Sequence, residues 1–524
     1  MFVNPQGVLK IYRNIPWHSD YEHVRQFNSK EERNAFLETN KKYGFENFSY
    51  IREQRALRVS INAENLYDCN YISFQNAGFG ERIFCAFITD IKYVNTETSE
   101  ISFVLDFYQT WWYDATIKEC FVEREHVNDD TIGLHTVDEG IYFGDYVARA
   151  HDNQIFTEWI VQVKFAPSYG EAKKGEYTLK YNALSKQYTV KALEEEMTGD
   201  IDTTTAFIND VNHEVGQGNE VIAINLYPKI WKDTWDYTEE HGQYNLIAPS
   251  FGRPSNFING IYTETDEPYT PSNGKLFTYP YCLLRVSNQM DTVRDLKWEN
   301  FNEFVEGTTR PYFIIRYNYT NKIGCEIFPD LYCNVRGFAE TITLNEFPSI
   351  DFQATDHLSP LKSVIGTIGT IMSTIAGAGA GAINPALAPV GGSLMHMPFE
   401  LMGNSMGGFK NNSQTKLGGT NANLALKYNT FGFWFYSMTI KAEYARIIDE
   451  YFTRYGYKIN RVKAPLLASR EKYNYVKTRG AIIENTEGHS LPDEAETEIA
   501  KIFDKGVTVW HVNNIGTYGE NPIV

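Results

Sequence analysis

The chain has 524 residues, of which 43% are hydrophobic and 22% charged, a composition typical of a globular protein with roughly two to four domains. Aromatic residues make up 15% of the chain, and this share favours β structure. The formal net charge of −18 argues against a protein that binds nucleic acid by neutralising its phosphates. DNA could still pass such a surface without binding to it.

Cysteine spacing and the N-terminal residues indicate where the protein is made. The six cysteines are irregularly spaced and form no C-x-x-C pair, so we predict reduced, mostly buried thiols and neither a disulfide framework nor a zinc site. The first residues, MFVNPQGVLKIYRN, lack the apolar run of a signal peptide, which predicts synthesis in a cytoplasm.

The N-terminal part reads as β structure with one short helix. Ser29 followed by Glu32 is a capping-box pattern, and it predicts a helix that continues through Leu37. Alternating apolar residues predict a strand at 8–12. They also predict a hairpin, in which 82–94 pairs with 101–108 across a turn at 95–99.

One stretch of this part, FVEREHVNDDTIGLHT at 121–136, contains residue types that can bind metals. They are His126, Asp129, Asp130 and His135, but no helix places them on one face and their spacing fits no catalytic motif. We interpret the stretch as a polar loop or an interdomain contact. Glu123 and Glu125 could form an acid/base pair, but a solvated or ion-paired face is the commoner arrangement.

The middle and C-terminal parts continue the β pattern with two further helices. One helix is marked by Ile440, Tyr444, Ile447, Ile448, Tyr451, Phe452 and Tyr455. We expect this stripe to be core, with Gly456 as its C-cap. A short acidic helix is predicted at 493–503. The predicted strands and hairpins are 175–191, 221–231, 276–288, 312–328, 344–352, 429–439, 470–478 and 506–511.

The most unusual stretch is 363–399, which contains no Asp, Glu, Lys or Arg. The first part of this stretch has apolar residues at helical spacing, with small residues on the opposite face. This first part is close in length to the ~20 residues that a membrane-spanning helix needs. Dense glycine then predicts a pliable arm. A buried core helix followed by a linker remains the alternative.

We predict that 359–422 is a membrane-active loop inserted in a folded domain. Its apolar residues are Val364, Ile365, Ile368, Ile371, Met372, Ile375, Ile383, Leu387, Val390, Leu394 and Met395. The glycines that give it flexibility are Gly377, Gly379, Gly381, Gly391 and Gly392.

Several stretches, spread over nearly the whole chain, carry a resemblance to a known family. They include IYRNIPW (11–17), NYISFQN (70–76), DFYQTWWYD (106–114), LFTYPYCLLRVSN (276–288) and IFDKGVTVWH (502–511). Together with 121–136, 440–460 and REKYNYVKT at 470–478, they resemble the tail knob, or distal tail tube, proteins of small short-tailed phages that infect Gram-positive bacteria.

The resemblance implies a mainly β, multidomain, tail-tube-like fold with a few short helices and no enzymatic activity, metal or cofactor. It implies a homohexameric tube at the virion tail tip, in contact with other tail proteins such as collar and appendages. In that family, apolar loops plug the lumen, then leave it and form a channel through the host membrane for the genomic DNA.

We predict four segments on this basis. They are an N-terminal tube-forming domain (1–150), a middle β domain (151–275), a second tube-like domain (276–358 with 423–524) and the inserted loop (359–422). A receptor-binding adhesin remains an alternative. A wall-degrading tail enzyme is a second alternative, which would need the carboxylates near Glu123.

Overall fold

A computed structural model gives the fold of most of the chain outside the loop. It describes residues 7–46, 48, 55–76, 80, 82–155, 159–165, 179–182, 187–190, 221–228, 245–260, 267–288, 292–301, 310–318, 324–330, 332–333, 340, 342–344, 349–351, 432–486 and 490–524.

The chain divides into two compact units. Unit 1 consists of Met1–Gly144, Tyr269–Leu276 and Ala442–Val524, and unit 2 of Asp145–Pro268 and Phe277–Lys441. These boundaries differ from the four segments predicted from the sequence, which stay a prediction.

The described residues form strands and four α-helices, so the predicted mainly β fold is confirmed. The strands are β1 (Gly7–Arg13), β2 (His23–Arg25), β3 (Lys41–Glu46), β4 (Ala56–Val59), β5 (Cys69–Asn76), β6 (Ile83–Asn95), β7 (Thr98–Leu105), β8 (Ala115–Ile117), β9 (Cys120–Glu125), β10 (Tyr146–Ile155), β11 (Trp159–Phe165), β12 (Leu179–Asn182), β13 (Gln187–Val190), β14 (Val221–Pro228), β15 (Asn245–Ile247), β16 (Cys282–Ser287), β17 (Val293–Leu296), β18 (Phe313–Asn318), β19 (Gly324–Pro329), β20 (Ile342–Leu344), β21 (Ser349–Asp351), β22 (Gly432–Ile440), β23 (Tyr457–Lys463), β24 (Tyr473–Arg479), β25 (Ile483–Asn485) and β26 (Val507–Trp510). The helices are α1 (Lys30–Thr39), α2 (Phe107–Trp111), α3 (Ala442–Tyr455) and α4 (Asp493–Lys505).

A six-stranded antiparallel sheet forms the N-terminal part of unit 1, in the order β3-β1-β5-β6-β7-β4. Alternate residues such as Leu9, Ile11, Ile72 and Phe74 are buried on one face, because side chains point to opposite faces along a strand. The predicted hairpin is confirmed as β6 paired with β7.

Helix α1 begins where the capping box predicted. The Ser29 side chain accepts a hydrogen bond from the Glu32 amide at 3.2 Å. The Glu32 carboxylate in turn accepts from the Asn28 amide at 2.9 Å. One amide donor that the helix leaves free is thereby satisfied, together with the amide of the residue before the cap. A side-chain cap of this kind stabilises a helix start by about 1 kcal/mol.

A five-stranded sheet joins the two ends of the chain within unit 1, in the order β2-β26-β24-β9-β23. Strands β2 and β26 are parallel, and the other pairs are antiparallel. Helix α4 buries Ile499 and Phe503 in a core that also contains Trp112, whose ring centroid lies 5.1 Å from that of Phe503. A two-stranded sheet pairs β8 with β25.

The described part of unit 2 contains three sheets. Their orders are β10-β22-β16-β17, β12-β13-β11-β14-β21 and β15-β18-β19-β20. The pairing of β12 with β13 and of β18 with β19 confirms the hairpins predicted at 175–191 and 312–328. Phe313 of β18 packs on Phe435 of β22 with ring centroids 5.0 Å apart, so two of the sheets share a core.

Four local predictions need correction. The strand predicted at 276–288 starts only at Cys282, because Gly274–Phe277 forms a 3-10 turn and Pro280 follows. The strand predicted at 344–352 is two short strands in different sheets, β20 and β21.

The other two corrections concern the end of one strand and the buried face of one helix. The strand predicted at 101–108 ends at Leu105, because Asp106 caps α2 there. Ile447 was expected in the core but is 64% exposed, whereas Ala445, Ile448, Asp449 and Phe452 form the buried face of α3. Gly456 ends α3 with φ +63°, as predicted.

The cysteine prediction is confirmed for the described thiols in all but one case. Cys69, Cys85, Cys120 and Cys282 are free and buried, and Cys333 is free and exposed.

Candidate functional site

Two strands of unit 2 flank the predicted membrane-active loop. β21 ends at Asp351 on the edge of the five-stranded sheet, where its residues pair with Ala223, Ile224 and Asn225 of β14. β22 starts at Gly432 and lies inside a four-stranded sheet between β10 and β16. The loop and all its predicted residues, from Val364 to Met395, lie outside the described residues.

β22 is the better anchored of the two flanks. It pairs along its length with β10 and β16, and Phe433, Phe435 and Ile440 are buried. Its first residue must be glycine, because a Cβ at Gly432 would lie 2.1 Å from the Gln154 carbonyl oxygen. The chain therefore returns from the loop into a central, fully paired strand.

The four residues of 121–136 whose types can bind metals each make hydrogen bonds of their own within the fold. The buried His126 ring bonds to the Thr453 carbonyl at 2.9 Å and accepts from the Tyr475 amide at 2.7 Å. Burial lowers the pKa of His126 to about 3, so its ring is neutral at physiological pH.

Asp129, Asp130 and His135 belong to a polar loop, as predicted. Asp129 accepts from the Thr131 amide at 2.9 Å, and the His135 ring bonds to the Asp129 carbonyl at 2.8 Å. Asp130 accepts from the Gly274 amide at 2.8 Å. Within the described parts of the chain, no three His, Cys, Asp or Glu side chains stand close enough to hold a metal ion.

Glu123 and Glu125 are ion-paired, as expected, but only one of them is solvated. Glu123 lies 3.1 Å from Lys477, and its side chain is 28% exposed. The Glu125 side chain is fully buried, where it pairs with Lys463 and accepts from the Leu466 amide at 2.9 Å. A buried carboxylate held by a lysine and an amide is a structural ion pair, not one half of an acid/base pair.

The motif DFYQTWWYD contains two buried carboxylates that the sequence did not single out. Asp106 accepts from the Tyr71 hydroxyl at 2.7 Å and from the Gln109 amide at 3.0 Å. Burial raises the pKa of Asp106 to about 6. Asp114 is paired with Lys30 at 2.6 Å and Arg82 at 2.7 Å.

Asp449 is a third buried carboxylate that sequence reasoning missed. It lies between Ile448 and Phe452 on the buried face of α3, and it holds residues 269–273 by hydrogen bonds. A charged residue next to the apolar stripe of an amphipathic helix is the signal that could have identified it.

The described part of the chain contains no helix that is both long and apolar enough to span a bilayer.

Two family models match the chain. The model described as the caudoviral major tail protein N-terminus matches residues 6–116, which include the six-stranded sheet. The model described as the C-terminal domain of the Bacillus phage phi29 tail knob protein gp9 matches residues 243–521, more than half of the chain.

Relatives that match along nearly the whole chain agree with these models. The tail knob proteins gp9 of Bacillus phages phi29 and PZA are each 26% identical to this chain, over 98% of this chain and 98% of their own. The structure of the bacteriophage C1 tail knob protein gp12 matches 99% of this chain and 100% of its own with a TM-score of 0.56. At 13% identity, this last match demonstrates a shared fold only.

The predicted family is thus confirmed by the family models, and relatives that match along nearly the whole chain agree with it. The chain belongs to the family of phage tail knob proteins and is a structural component of the virion tail.

Proposed function

We propose that this tail knob protein forms a homohexameric tube at the tail tip through which the genome is ejected. The apolar loops of six copies, residues 359–422, plug the lumen before infection and then enter the host membrane to form a channel. The observation that carries the proposal is the charge-free stretch 363–399 in a chain that is otherwise acidic.

The energetics of such a loop favour transfer into lipid. Each apolar side chain that moves from water into lipid gains roughly 1.5–3 kcal/mol, so six of them give on the order of 10 kcal/mol per copy. The same free energy would drive aggregation if the loop were exposed early, which is why a sealed lumen suits it. The paired flanks β21 and β22 support this, because the loop can move while both of its ends stay fixed.

The acidic character of the chain suits a DNA conduit. Lys and Arg clusters bind phosphates and would retard the passing genome, whereas a net charge of −18 disfavours adhesion. In this proposal the partners are five further copies, other tail proteins, the host membrane and DNA that is not bound specifically. The protein has no catalytic role.

Dye release from liposomes tests the loop directly. Full-length protein is compared with a variant in which 363–410 is replaced by a short Gly/Ser linker, at pH 7.5 and pH 4.5. Both pH values are used because His357 precedes the loop and His396 lies within it, and histidine gains charge below about pH 6.5. We expect release by the full-length protein only.

A matched pair of substitutions sharpens this test. Ile368→Glu places a charge in the apolar stretch, where it costs about 2.5–3.5 kcal/mol at the centre of a membrane helix, so release should fall strongly. Ile447→Glu makes the same change at a side chain that is 64% exposed, and release should stay at the unsubstituted level.

Other outcomes would point to the alternatives. Equal release with and without 363–410 would contradict the channel, and binding to cell-wall polymer unchanged by the linker replacement would support an adhesin. Lysis of purified cell wall that is lost in Glu123→Ala would support the enzyme. Native mass spectrometry tests the hexamer, and a stable monomer under virion-like salt would contradict it.

A further inference from the structure

Two asparagines of the chain are followed directly by glycine, in Asn259-Gly260 and Asn273-Gly274. Asparagine is thermolabile, because the backbone nitrogen of the next residue can attack its side-chain carbonyl carbon. Glycine in the next position makes this attack easiest, since it has no side chain to block the approach and the widest choice of backbone angles. The structure gives the two pairs opposite surroundings.

Asn273-Gly274 is held at both atoms that would have to react. Asn273 is 7% exposed, and its side-chain amide donates to the Asp449 carboxylate at 2.8 Å and to the Thr453 hydroxyl at 2.9 Å. The Gly274 amide, which carries the attacking nitrogen, donates to the Asp130 carboxylate at 2.8 Å. Attack at Asn273 therefore requires the loss of several hydrogen bonds, two of them to charged groups.

Asn259-Gly260 lies in irregular backbone of unit 2. Asn259 is exposed, and residues 259–260 belong to neither a helix nor a strand. Phe257, two residues earlier, is fully buried and packs on Phe277 with ring centroids 5.6 Å apart. The fold thus fixes the chain at Phe257 and presents Asn259 to water, where irregular backbone can rotate to bring the Gly260 nitrogen to the side chain.

We propose that Asn259 is a site of spontaneous deamidation in the folded protein and that Asn273 is not. A bond forms between the Gly260 nitrogen and the Asn259 Cγ atom, and the bond from Cγ to the side-chain nitrogen breaks. That nitrogen leaves as ammonia with the proton from the Gly260 amide, and a cyclic imide remains.

Water then opens the imide at either of its two carbonyl carbons. The products are aspartate and isoaspartate, each of which has a carboxylate in place of the neutral amide. Every event therefore adds a negative charge to a chain that is already acidic. The proposal does not depend on the proposed tube or channel, so a failure of either leaves it standing.

Peptide mapping of the full-length protein by mass spectrometry tests the site. The folded protein is kept at pH 8.5, samples are digested, and the deamidated share of the two Asn-Gly peptides is followed with time. We expect the Asn259 peptide to react about tenfold faster or more than the Asn273 peptide, because reaction at Asn273 requires local opening of a buried segment.

Isoaspartate gives a second readout. An isoaspartate methyltransferase transfers a methyl group from S-adenosylmethionine to the isoaspartyl carboxylate, and labelling should rise as the protein ages. In Asn259→Gln the longer side chain would have to close a larger ring, which is much slower, so most of this labelling should be lost. Labelling that is the same in Asn259→Gln and in the unsubstituted protein would place the reaction elsewhere.

Unfolding in urea is the control for the fold. Both pairs are Asn-Gly, so their rates should become similar once the structure is lost. A difference of the same size in urea would show that the flanking sequence, not the fold, sets the two rates.

A matched pair of substitutions tests the protection of Asn273. Asp130→Ala removes the acceptor of the Gly274 amide, so deamidation at Asn273 should rise while that at Asn259 stays unchanged. Asp504→Ala removes the acceptor of another glycine amide of unit 1, that of Gly480 at 3.1 Å, and should change neither rate.

Two results would overturn the proposal. One is an Asn273 peptide that reacts as fast as the Asn259 peptide in the folded protein. The other is an Asn259 peptide that stays intact in the folded protein over a period in which the urea-unfolded protein reacts completely.

Discussion

Asp106 and Asp114 lie eight residues apart in one motif and are both fully buried, yet their surroundings differ. Asp106 is held by the neutral Tyr71 hydroxyl and a backbone amide. Asp114 is held by two cations, Lys30 and Arg82. Burial raises the pKa of Asp106 to about 6. Burial alone would also raise the pKa of Asp114, but the bonds from Lys30 and Arg82 bring it below its usual value.

The comparison teaches that the charge of the partners, not burial, sets the sign of the pH dependence. Asp106 binds a proton more readily in the folded chain, so its contribution to stability falls as pH rises through the interval from about 4 to about 6. Asp114 releases its proton more readily in the folded chain. Its contribution is present above pH 4 and is lost as pH falls through its lowered pKa.

The largest expected effect comes from the cations of Asp114. Arg82→Met removes one of the two cations that pair with the buried carboxylate. Breaking a buried pair costs about 3–5 kcal/mol, and because Lys30 still pairs with Asp114 we expect a loss near the lower end of that range. The remaining acid-induced loss should also begin at a higher pH. Urea unfolding at pH 7.5 and pH 4.5 measures both effects.

An exposed pair of the same type is the control for this substitution. Arg58 lies 3.1 Å from Glu100 with 70% of its side chain exposed, so Arg58→Met should cost less than about 1 kcal/mol. Equal losses from the two substitutions would contradict the role that we assign to burial.

Much of the fold could be predicted because its signals are local. The Ser29 cap, the β6–β7 hairpin and Gly456 each depend on residues within a few positions of one another. The strand predicted from residue 276 failed where Pro280 and a turn override an apolar run. Ile447 was placed in the core by its spacing alone, although spacing does not specify which side of a helix the neighbouring chain covers.

The partners of the buried carboxylates could not be predicted, because they are distant in sequence. Glu125 pairs with Lys463, and Asp449 holds residues 269–273. For Asp106 and Asp114, the motif gives the two acids but neither Tyr71 nor Arg82. The membrane-active loop could be proposed for the opposite reason, since a charge-free stretch in an acidic chain is visible in composition alone, and it stays a prediction.

A smaller effect is expected at the tyrosine that holds Asp106. Tyr71→Phe removes the hydroxyl that donates to Asp106. At pH 7.5 the acceptor is charged, and losing the bond costs about 1.5–3 kcal/mol. At pH 4.5 the acceptor is largely protonated, and losing the bond costs about 1 kcal/mol. The loss measured by urea unfolding should therefore be larger at pH 7.5.

Tyr12→Phe is its control in the same sheet. The Tyr12 hydroxyl is 2.6 Å from the Ser73 hydroxyl, a neutral buried pair, so its loss should be the same at both pH values. If Tyr71→Phe showed the same loss at pH 7.5 and pH 4.5, Asp106 would not titrate in this interval.

The smallest change at neutral pH is expected for Asp106→Asn, which removes the titrating group but keeps a side chain that can cap α2 by accepting from the Gln109 amide. The raised pKa of Asp106 means that its charged form costs on the order of 3 kcal/mol at pH 7.5, and the variant avoids this cost while losing part of the bond from Tyr71. Its stability at pH 7.5 should thus lie within about 1 kcal/mol of the unsubstituted protein. At pH 4.5 it should be the less stable of the two, because only the unsubstituted protein gains a proton there. Asp114→Asn should behave in the opposite way, with a large loss of stability at pH 7.5 that shrinks in acid. If the two variants had the same pH profile of stability, the surroundings of Asp106 and Asp114 would not differ in the way described.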